Sequence, residues 1–309
     1  MTRLLLLGAD GFVGTHVRNR LALVPDTTVV TVSRRGDVHP DLQLDLTESV
    51  AAVGRALAEF APDTVLNCAG SAVGEVSSFA ANNLIATANL VDALLTAGRP
   101  IRLVHLGSAA EYGRVTAGIP TREDAPARPV SPYGLSKLAA TRLVGTAATA
   151  GLDAVVLRVT TPIGPDAPST SIAGRVAAQL RQGVAGSGGG ITTGPLDDVR
   201  DFVDVRDVAD AVAAAALRPA VGAPIPAVLN VGSGRATAVR TMVDALLAEA
   251  GFTGGLRMDG GGDPRATAVP WQQCDVTAID AALGWRPTRP LQTSLRDLWI
   301  SSAALLVPC

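Results

Sequence analysis

Lysine is almost absent from this chain of 309 residues: Lys137 is its only lysine, and the other 25 of its 26 basic residues are arginine. Surface cations can be exchanged for arginine, so a lysine that is retained is expected to need a compact ammonium on a flexible stem. Tyrosine is nearly as rare, and one of only two tyrosines, Tyr133, lies four residues before Lys137. This pair is therefore the first candidate for a functional role.

Charge and cysteine are also scarce. Charged residues make up 17% of the chain, against about 25% in typical soluble proteins. The net charge of -2 gives no reason to expect nucleic acid or an anionic membrane as a partner. Apolar runs such as residues 4–7 are far shorter than the roughly 20 residues of a transmembrane helix, and no signal peptide is expected. The widely spaced Cys68, Cys274 and Cys309 predict a reducing, cytoplasmic location, with neither a disulfide framework nor a metal site.

The spacing of Tyr133 and Lys137 favours a catalytic role. If the segment is helical, positions i and i+4 lie on one face, so the ammonium can sit near the phenol. A nearby positive charge favours the phenolate and lowers a phenol pKa that starts at about 10. Tyr133 is then a candidate general acid near neutral pH. The alternative is a lysine that survives by chance on a solvated helix face.

The N-terminal segment predicts a dinucleotide-binding turn. An apolar strand pattern at residues 4–7 is followed by Gly8-Ala9-Asp10-Gly11-Phe12-Val13-Gly14 and then by a helical pattern through about Leu23. Glycines are needed where the backbone turns tightly and approaches a pyrophosphate, and the first N–H groups of the helix attract phosphate. Strand, glycine turn and helix in this order favour a nucleotide cofactor over an ordinary turn.

The end of the second strand, predicted at residues 29–32, indicates which cofactor binds. The chain continues as Ser33-Arg34-Arg35-Gly36 and lacks the acidic residue that usually holds the ribose 2′-hydroxyl of NAD. Guanidinium groups make bidentate, charge-assisted bonds to phosphate. The sequence therefore predicts NADP(H) in preference to NAD(H), and the alternative is a solvated basic loop.

Strands and helices alternate through the first half of the chain. Further strands are predicted at residues 64–67 and 102–106, and helices at about 50–60 and 83–97. This alternation predicts an α/β fold with a Rossmann-type, doubly wound parallel sheet. In such a sheet the ligand lies beyond the carboxyl ends of the strands. Two of these ends, Asn67-Cys68-Ala69-Gly70 and Gly107-Ser108, carry small residues that would let a nicotinamide ribose pack closely.

Several motifs follow one another in a recognisable order. The first half contains Gly8-x-x-Gly11-x-x-Gly14, Asp45-Leu46, Asn67-Cys68-Ala69-Gly70, Ser108 and Tyr133-x-x-x-Lys137, and the second half contains residues 157–165, 194–208, 230–234 and 283–287. Together they resemble the extended short-chain dehydrogenase/reductase family of nucleotide-sugar epimerases, dehydratases and reductases. Residues 194–208 are closely similar to a stretch of its GDP-4-keto-6-deoxymannose reductase branch, and the resemblance covers nearly the whole chain.

The resemblance implies roles for particular residues. Ser108 would bond the substrate carbonyl oxygen, Tyr133 would deliver or remove the proton, and Lys137 would hold the nicotinamide ribose and lower the tyrosine pKa. Asp45 would approach the adenine, although it could simply cap a helix with Thr47. The remaining candidates are grouped by ligand. The cofactor set comprises Gly8, Gly11, Phe12, Val13, Gly14, Ser33, Arg34, Arg35, Asp45, Leu46, Cys68, Ala69, Gly70, Asn83, Tyr133, Lys137 and Thr160; the substrate set comprises Ser108, Thr161, Arg200 and Arg265.

The two substrate-set arginines would meet the diphosphate of a nucleotide sugar. For Arg200 the alternative is a structural ion pair with Asp201 or Asp204. Many relatives have an asparagine that touches the substrate where this chain has Thr161, so the identity of the nucleotide stays open. No metal ligand is predicted.

One departure from the family pattern concerns the reaction. Relatives that dehydrate a sugar carry an acidic residue, the base that removes the C5 proton, two positions before the tyrosine of the Glu111-Tyr112-Gly113 motif. Here that position is Ala110, and its neighbour is Ala109. Alanine cannot transfer a proton, so a 4,6-dehydratase is not expected.

The second half is predicted to form a smaller, discontinuous α/β substrate lobe. Residues 1–161, with about 201–220 returning to them, would bind the dinucleotide, while 162–200 and 221–309 would belong mainly to the substrate lobe. Residues 186–190, Gly-Ser-Gly-Gly-Gly, are typical of a surface loop. The helices after Asn83 and Lys137 match helices that form a two-fold dimer in relatives, so a homodimer is predicted; alternatively they only cover the sheet.

These features predict an NADPH-dependent ketoreductase, acting on a nucleotide-linked 4-keto-6-deoxysugar with Tyr133 as general acid. A nucleotide-sugar epimerase and a reductase of another ketone, such as a polyketide intermediate, are the enzymatic alternatives. A cofactor-sensing scaffold is the non-enzymatic one, because fold alone does not fix function.

Overall fold

A computed structural model describes residues 1–34, 41–185, 190–219, 225–258 and 269–303. Four predictions concern residues outside these ranges: the phosphate contact of Arg35, the diphosphate contact of Arg265, most of the glycine-rich loop at 186–190, and Cys309.

The described part of the chain alternates strands and helices. The strands are β1 (Thr2–Leu7), β2 (Thr27–Ser33), β3 (Leu42–Gln43), β4 (Thr64–Asn67), β5 (Arg102–Ser108), β6 (Ala154–Val159), β7 (Thr161–Ile163), β8 (Ile191–Thr193), β9 (Val199–Arg200), β10 (Phe202–Asp204), β11 (Val228–Val231), β12 (Thr237–Ala238) and β13 (Leu256–Met258). The helices are α1 (Phe12–Leu21), α2 (Val50–Phe60), α3 (Val76–Phe79), α4 (Ala86–Leu95), α5 (Pro132–Thr149), α6 (Ile172–Ala185), α7 (Val205–Leu217), α8 (Val239–Glu249), α9 (Thr277–Leu283) and α10 (Leu291–Ser301). A π-helical turn, Ala80–Ile85, joins α3 to α4, and a 3-10 turn, Ala109–Glu111, follows β5.

The large sheet has seven parallel strands in the order β3-β2-β1-β4-β5-β6-β11. The strand β1 is central because its leucines are buried on both faces of the sheet. Leu4 and Leu6 lie in one apolar core with α1 and α7, whereas Leu5 and Leu7 lie in a second core with α2, α4 and α5. Alternate side chains of a strand point to opposite faces, so this division confirms the predicted doubly wound α/β sheet.

The smaller lobe has its own core. Three short strand pairs, β7 with β10, β9 with β12 and β8 with β13, surround apolar side chains from α6, α8 and α10, including Leu180, Met242 and Leu295. The strand β11 is an edge strand of the large sheet, although it falls within residues 221–309, which were predicted to belong mainly to the substrate lobe. Leu229 and Val231 are buried in the core of the large sheet, so this short apolar run extends that sheet beside β6.

Most predicted elements are close to those observed, with one informative difference. The helix α2 covers the predicted residues 50–60, and α1 ends at Leu21 rather than near Leu23. The helix predicted at 83–97 begins earlier, at Val76, and passes through the π-helical turn before ending at Leu95. None of the described helices is both long and apolar enough to span a bilayer.

Candidate active site

The glycine turn between β1 and α1 is shaped by close backbone contacts. Gly8 has a φ of +73°, and a Cβ placed on it would lie 2.7 Å from the Cα of Ala69. A Cβ on Gly14 would lie 2.0 Å from the carbonyl oxygen of Gly8. Only glycine fits both positions. Gly11 precedes α1 and no side chain caps that helix, so its first N–H groups are suited to a phosphate.

A second tight turn lies beside it, where the order of the strands reverses between β1 and β4. A Cβ on Gly70 would lie 2.8 Å from Oδ1 of Asn83. The buried Asn83 amide accepts from the backbone N–H of Ser71 at 2.8 Å and donates to Oγ of Ser136 at 2.9 Å. Asn83 therefore ties this turn to α5. The position matches the crevice in which ligands bind in open parallel sheets.

The helix α5 packs tightly against the 3-10 turn that follows Ser108. Oγ of Ser131 caps α5 by accepting from the N–H of Gly134 at 3.1 Å. A Cβ on Gly134 would lie 2.6 Å from the carbonyl oxygen of Ala110. Glycine at this position therefore lets the first turn of α5, which carries Tyr133, approach Ser108.

Ser108 and Lys137 are both buried and hydrogen-bonded. The Ser108 hydroxyl accepts from the N–H of Ala110 at 3.2 Å, so its own hydrogen can still be donated to a ligand. The Lys137 ammonium donates to the carbonyl oxygen of Leu106. Burial lowers the pKa of Lys137 below its ordinary value, while the Glu111 carboxylate opposes that shift.

Tyr133 is half-buried, and its ring meets Phe79 edge to face, with 5.9 Å between the ring centroids. Together with Ser108 and Lys137 it lines a cavity of about 520 Å³, the main cavity. The other predicted site residues that line the main cavity are Gly11, Phe12, Val13, Cys68, Ala69, Gly70, Asn83, Thr160, Thr161 and Arg200. The fold thus brings most of the predicted set together around one space.

A neighbouring space of about 530 Å³, the outer cavity, contains the other predicted cofactor residues. It shares Gly11, Cys68, Ala69 and Gly70 with the main cavity and adds Gly8, Ser33, Arg34, Asp45 and Leu46. Gly14 lines neither cavity and acts through its contact with Gly8. The two cavities are therefore adjacent and together contain the described cofactor candidates other than Gly14.

The charged side chains of the outer cavity differ in how they are held. Arg34 is exposed and donates to Oδ1 of Asn82 at 2.9 Å. Asp45 accepts from the N–H and the hydroxyl of Thr47, each at 2.8 Å. This is a local turn and not the helix cap considered from the sequence, because α2 begins later in the chain and its N-cap is Ser49. The guanidinium of Arg34 therefore remains the described side chain best suited to a 2′-phosphate.

The substrate-side candidates lie at the other end of the main cavity. The Thr161 hydroxyl donates to Oε1 of Gln272 at 3.3 Å. Arg200 forms an ion pair with Asp198 at 2.9 Å. Neither Asp201 nor Asp204, the partners considered from the sequence, is the partner in this pair. Arg200 and Thr161 also border a side cavity of about 170 Å³ next to the main one.

Asp201 and Asp204 have partners other than Arg200. Asp204 pairs with Arg206 at 2.7 Å, and Asp201 accepts from backbone N–H groups of Ser233 and Cys274. Both carboxylates are buried, although Asp201 only precedes β10 and Asp204 ends it. Sequence proximity to Arg200 alone could not reveal this.

Sequence reasoning missed the buried ion pair between Glu111 and Arg158, at 2.8 Å. Its signal was an arginine inside the otherwise apolar run Val155-Val156-Leu157-Arg158-Val159. A cation in a buried strand needs a charged or strongly hydrogen-bonding partner. The partner lies 47 residues earlier in the chain, so the sequence does not identify it.

The described residues contain no cluster of histidine, cysteine and carboxylate side chains suited to a metal ion. Cys68 and Cys274 are free thiols. Burial raises the pKa of Cys68 to about 12, so this thiol, which lines both cavities, stays protonated at neutral pH.

Comparison with known proteins extends this picture. Residues 4–232 match the model of the NAD dependent epimerase/dehydratase family. The chain is 36% identical over 310 residues to a dTDP-6-deoxy-L-talose 4-dehydrogenase (NAD(P)(+)) of Kitasatospora kifunensis, with 97% of this chain and 96% of the relative covered. It is 30% identical over 312 residues to a GDP-6-deoxy-D-mannose reductase of Pseudomonas aeruginosa, with 96% and 95% covered.

A solved structure is also similar to this chain along its length. The UDP-glucose 4-epimerase of Thermus thermophilus in complex with NAD superposes with a TM-score of 0.84 at 26% identity, over 99% of this chain and 100% of that one. The two relatives and the solved structure each match almost the full length of both chains. The similarity therefore includes the smaller lobe as well as the large sheet.

Proposed function

This chain belongs to the NAD dependent epimerase/dehydratase family, the extended short-chain dehydrogenases/reductases, and we propose that it is an NADPH-dependent ketoreductase. The proposed substrate is a nucleotide-linked 4-keto-6-deoxysugar. The observation that carries the proposal is the convergence of Ser108, Tyr133 and Lys137 on the main cavity, next to the glycine turn. Family membership makes the chain an NAD(P)-dependent oxidoreductase or epimerase. The direction of the reaction and the substrate are the proposed part.

The residues present fit a dinucleotide. The uncapped start of α1 suits the pyrophosphate, and the close contacts of Gly8 and Gly14 leave no room for side chains beside it. Arg34 would hold the 2′-phosphate of NADPH, which supports NADP(H) over NAD(H). At the other end, Lys137 would hold the nicotinamide ribose. Bound NADPH supplies the hydride.

The chain's own residues supply position, charge and a proton. Ser108 donates its free hydroxyl hydrogen to the substrate carbonyl and so stabilises the negative charge that develops on its oxygen. Tyr133 then donates its phenolic proton to that oxygen. Lys137 favours the resulting phenolate because it is a cation one helical turn away on the same face.

A nucleotide sugar is supported by the substrate end of the site. The two relatives described above are named for 6-deoxysugars carried on dTDP and on GDP. Arg200, which borders both the main and the side cavity, would meet the diphosphate. Ala110 lines the main cavity where a dehydratase needs an acid, and an alanine there supports reduction over dehydration.

Assembly as a homodimer is a further part of the proposal. Ile85 of the π-helical turn and Leu135 of α5 are large, exposed apolar side chains on neighbouring helical elements. Burying this surface against a second copy would remove it from water. The cytoplasmic location stays a prediction from the scarcity of cysteine.

The experiment that tests the function uses purified protein, NADPH and a panel of dTDP- and GDP-linked 4-keto-6-deoxysugars. We expect absorbance of NADPH to fall in proportion to product, and the product to be heavier than the substrate by two hydrogens. A panel without turnover at any substrate would contradict the proposed reaction. Equal affinity for NADH and NADPH would contradict the proposed cofactor preference.

An epimerase is the second candidate, because the structure superposes on a UDP-glucose 4-epimerase over the full chain. An epimerase returns its cofactor in each cycle, whereas a reductase consumes one per product. Isomerisation of a nucleotide sugar with sub-stoichiometric NAD and no net change in absorbance would favour the epimerase.

A further inference from the structure

We propose that Glu111 is a positioning residue of this active site: its buried carboxylate fastens the backbone of Ser108 to the helix that carries Tyr133 and Lys137. It also supplies the negative charge that keeps Lys137 cationic. The effect on turnover rests on the proposed function. The effect on Lys137 does not, and it can be measured without any substrate.

The geometry of Glu111 connects two elements. Its side chain is 0% exposed. Oε1 accepts from the backbone N–H of Ser108 at 2.8 Å and from the hydroxyl of Thr141 on α5 at 2.9 Å. Thr141 lies four residues after Lys137, on the same face of the helix. One oxygen atom therefore holds the end of β5 and the catalytic face of α5 at a fixed separation.

The second carboxylate oxygen of Glu111 is paired with an arginine of the large sheet. Oε2 accepts from Nε of Arg158 on β6 at 2.8 Å, and the Arg158 guanidinium lies 4.6 Å from the centre of the Tyr112 ring. The Tyr112 hydroxyl in turn donates to Asn230 on β11 at 2.7 Å. The carboxylate is thus both charged and paired, as a buried ion requires.

The backbone provides the space for this carboxylate. A Cβ on Gly107 would lie 2.8 Å from Oε1 of Glu111 and 3.3 Å from Cγ of Arg158. The absence of a side chain at Gly107 is therefore what admits the carboxylate beneath Ser108. Glu111 is not among the described residues that line the main cavity, so it acts through its neighbours and not on the substrate.

Few described groups near Lys137 other than Glu111 stabilise its charged form. Burial lowers the pKa of Lys137, and Glu111 is the leading opposing influence. Cys68, directly after β4, would act in the same direction only as a thiolate, and burial keeps this thiol protonated at neutral pH. His105 on β5 is bonded to the side chain of Asn67; burial and the charge of Lys137 both lower the pKa of this histidine, so the ring stays neutral at neutral pH. Tyr133, on the same helix, is the remaining titratable neighbour.

The test exploits the single lysine. Protein labelled with ¹³C in lysine gives one side-chain signal, whose chemical shift follows the protonation of Lys137 directly. The substitution Glu111→Gln keeps the size of the side chain and removes its charge. In this variant we expect the midpoint of the Lys137 titration, here called the Lys137 midpoint, to fall by about one pH unit or more. An unchanged midpoint would overturn the proposal.

A matched control distinguishes the effect of the Glu111 charge on Lys137 from the general effect of removing a buried carboxylate. Asp201 is also 0% exposed and accepts from the N–H groups of Ser233 and Cys274. Asp201→Asn should destabilise the protein and leave the Lys137 midpoint in place. If both variants moved the midpoint equally, the shift would reflect general loosening and the assignment to Glu111 would be wrong.

Glu111→Gln leaves Arg158 buried without its counter-ion and could prevent folding. The double variant Glu111→Gln with Arg158→Met removes the cation too, and such a replacement of a buried ion pair is often tolerated. The proposal expects a folded double variant whose Lys137 midpoint is still lowered. Recovery of the original midpoint in the double variant would overturn it.

Kinetics then measure the consequence for the reaction. A lower Lys137 pKa means that the ammonium is lost at lower pH, so the phenolate of Tyr133 loses its cationic neighbour earlier. The alkaline limb of the turnover profile should shift to lower pH, and the maximum should fall about ten- to hundredfold because Ser108 is displaced. A lowered Lys137 midpoint with an unchanged pH profile would overturn the positioning role, whereas a lack of turnover in the unaltered protein would count only against the proposed function.

Discussion

The two ends of the proposed cofactor site are built on different physical principles. At the catalytic end, Ser108 is 8% and Lys137 6% exposed, and each makes a hydrogen bond within the protein. At the outer end, Arg34 is exposed and donates to the side chain of Asn82. Groups of the catalytic end are thus fixed by packing, whereas the outer end offers a charge on a flexible stem.

The two ends also differ in how much one arginine at each contributes to stability. Arg158 forms a buried ion pair with Glu111, and breaking such a pair typically costs about 3–5 kcal/mol of stability. Arg34 is exposed and donates to the neutral amide of Asn82, and substitutions at such surface positions usually change stability by less than about 0.5 kcal/mol, so replacing Arg34 should hardly affect folding. Changes at the catalytic end are therefore expected to alter chemistry and stability together, and changes at the outer end to alter cofactor choice alone.

The largest expected effect is that of Tyr133→Phe, which keeps the ring and its contact with Phe79 and removes only the proton donor. Turnover should fall about 10²- to 10⁴-fold with NADPH affinity nearly intact. The control is Tyr112→Phe, the other tyrosine, whose hydroxyl bonds Asn230. It should cost about 1 kcal/mol of stability and little turnover. Near-normal turnover in Tyr133→Phe would show that the assigned acid is wrong.

Lys137→Ala should reduce turnover about a hundredfold and also weaken NADPH binding, because one group serves both the phenol and the ribose. Isothermal titration and steady-state kinetics measure the two effects. In the unaltered protein, turnover should decline as pH rises through the Lys137 pKa, which burial holds below its ordinary value. The exposed neighbour Arg142 on α5 provides the control Arg142→Ala; equal losses in both variants would remove the special role of the lysine.

Arg34→Ala tests the outer end. A charge-assisted hydrogen bond contributes about 1.5–3 kcal/mol, so the preference for NADPH over NADH should fall about ten- to hundredfold while turnover at saturation stays the same. Arg286→Ala, which removes an exposed arginine paired with Asp280, should leave the preference unchanged. Equal weakening of both cofactors in Arg34→Ala would contradict a 2′-phosphate contact.

The smallest expected effect belongs to Ser49→Ala, at the start of α2. Oγ of Ser49 accepts from the N–H of Ala52 at 3.2 Å, and the loss of such a cap costs about 1 kcal/mol. Urea unfolding should detect this loss, and neither turnover nor cofactor preference should change. A change in cofactor preference would mean that the outer end is coupled to the packing of α2 and is less independent than proposed.

The sequence predicts best what depends on local pattern. The glycine turn, the bounds of α2 and the alternation of strands and helices follow from spacing within a few residues, and the α/β fold is confirmed. The position of Ser108 follows from its place at the carboxyl end of a strand, whereas Tyr133 lies in the first turn of α5 and reaches the same cavity through the packing of that helix. Their chemical roles remain predictions.

What the sequence could not predict depends on distant partners. Glu111 and Arg158 meet only because β5 and β6 are neighbours in the sheet. Arg200 pairs with Asp198, two residues away, and not with the adjacent Asp201, because residues two apart on a strand share a face. The π-helical turn could not be predicted either, because the apolar periodicity of its residues does not distinguish it from an α-helix.

That turn has a consequence for how the chain can change in length. A π-helical turn contains one residue more than an α-helical one, so deleting one residue between Ala80 and Ile85 would give a regular helix. The helix would then rotate by about 100° on one side of the deletion, and Asn83 could no longer bond both Ser71 and Ser136. The extra residue is therefore an insertion on which the site now depends: homologous chains should gain or lose it only together with the Asn83 contacts, even where the rest of the helix varies freely in sequence.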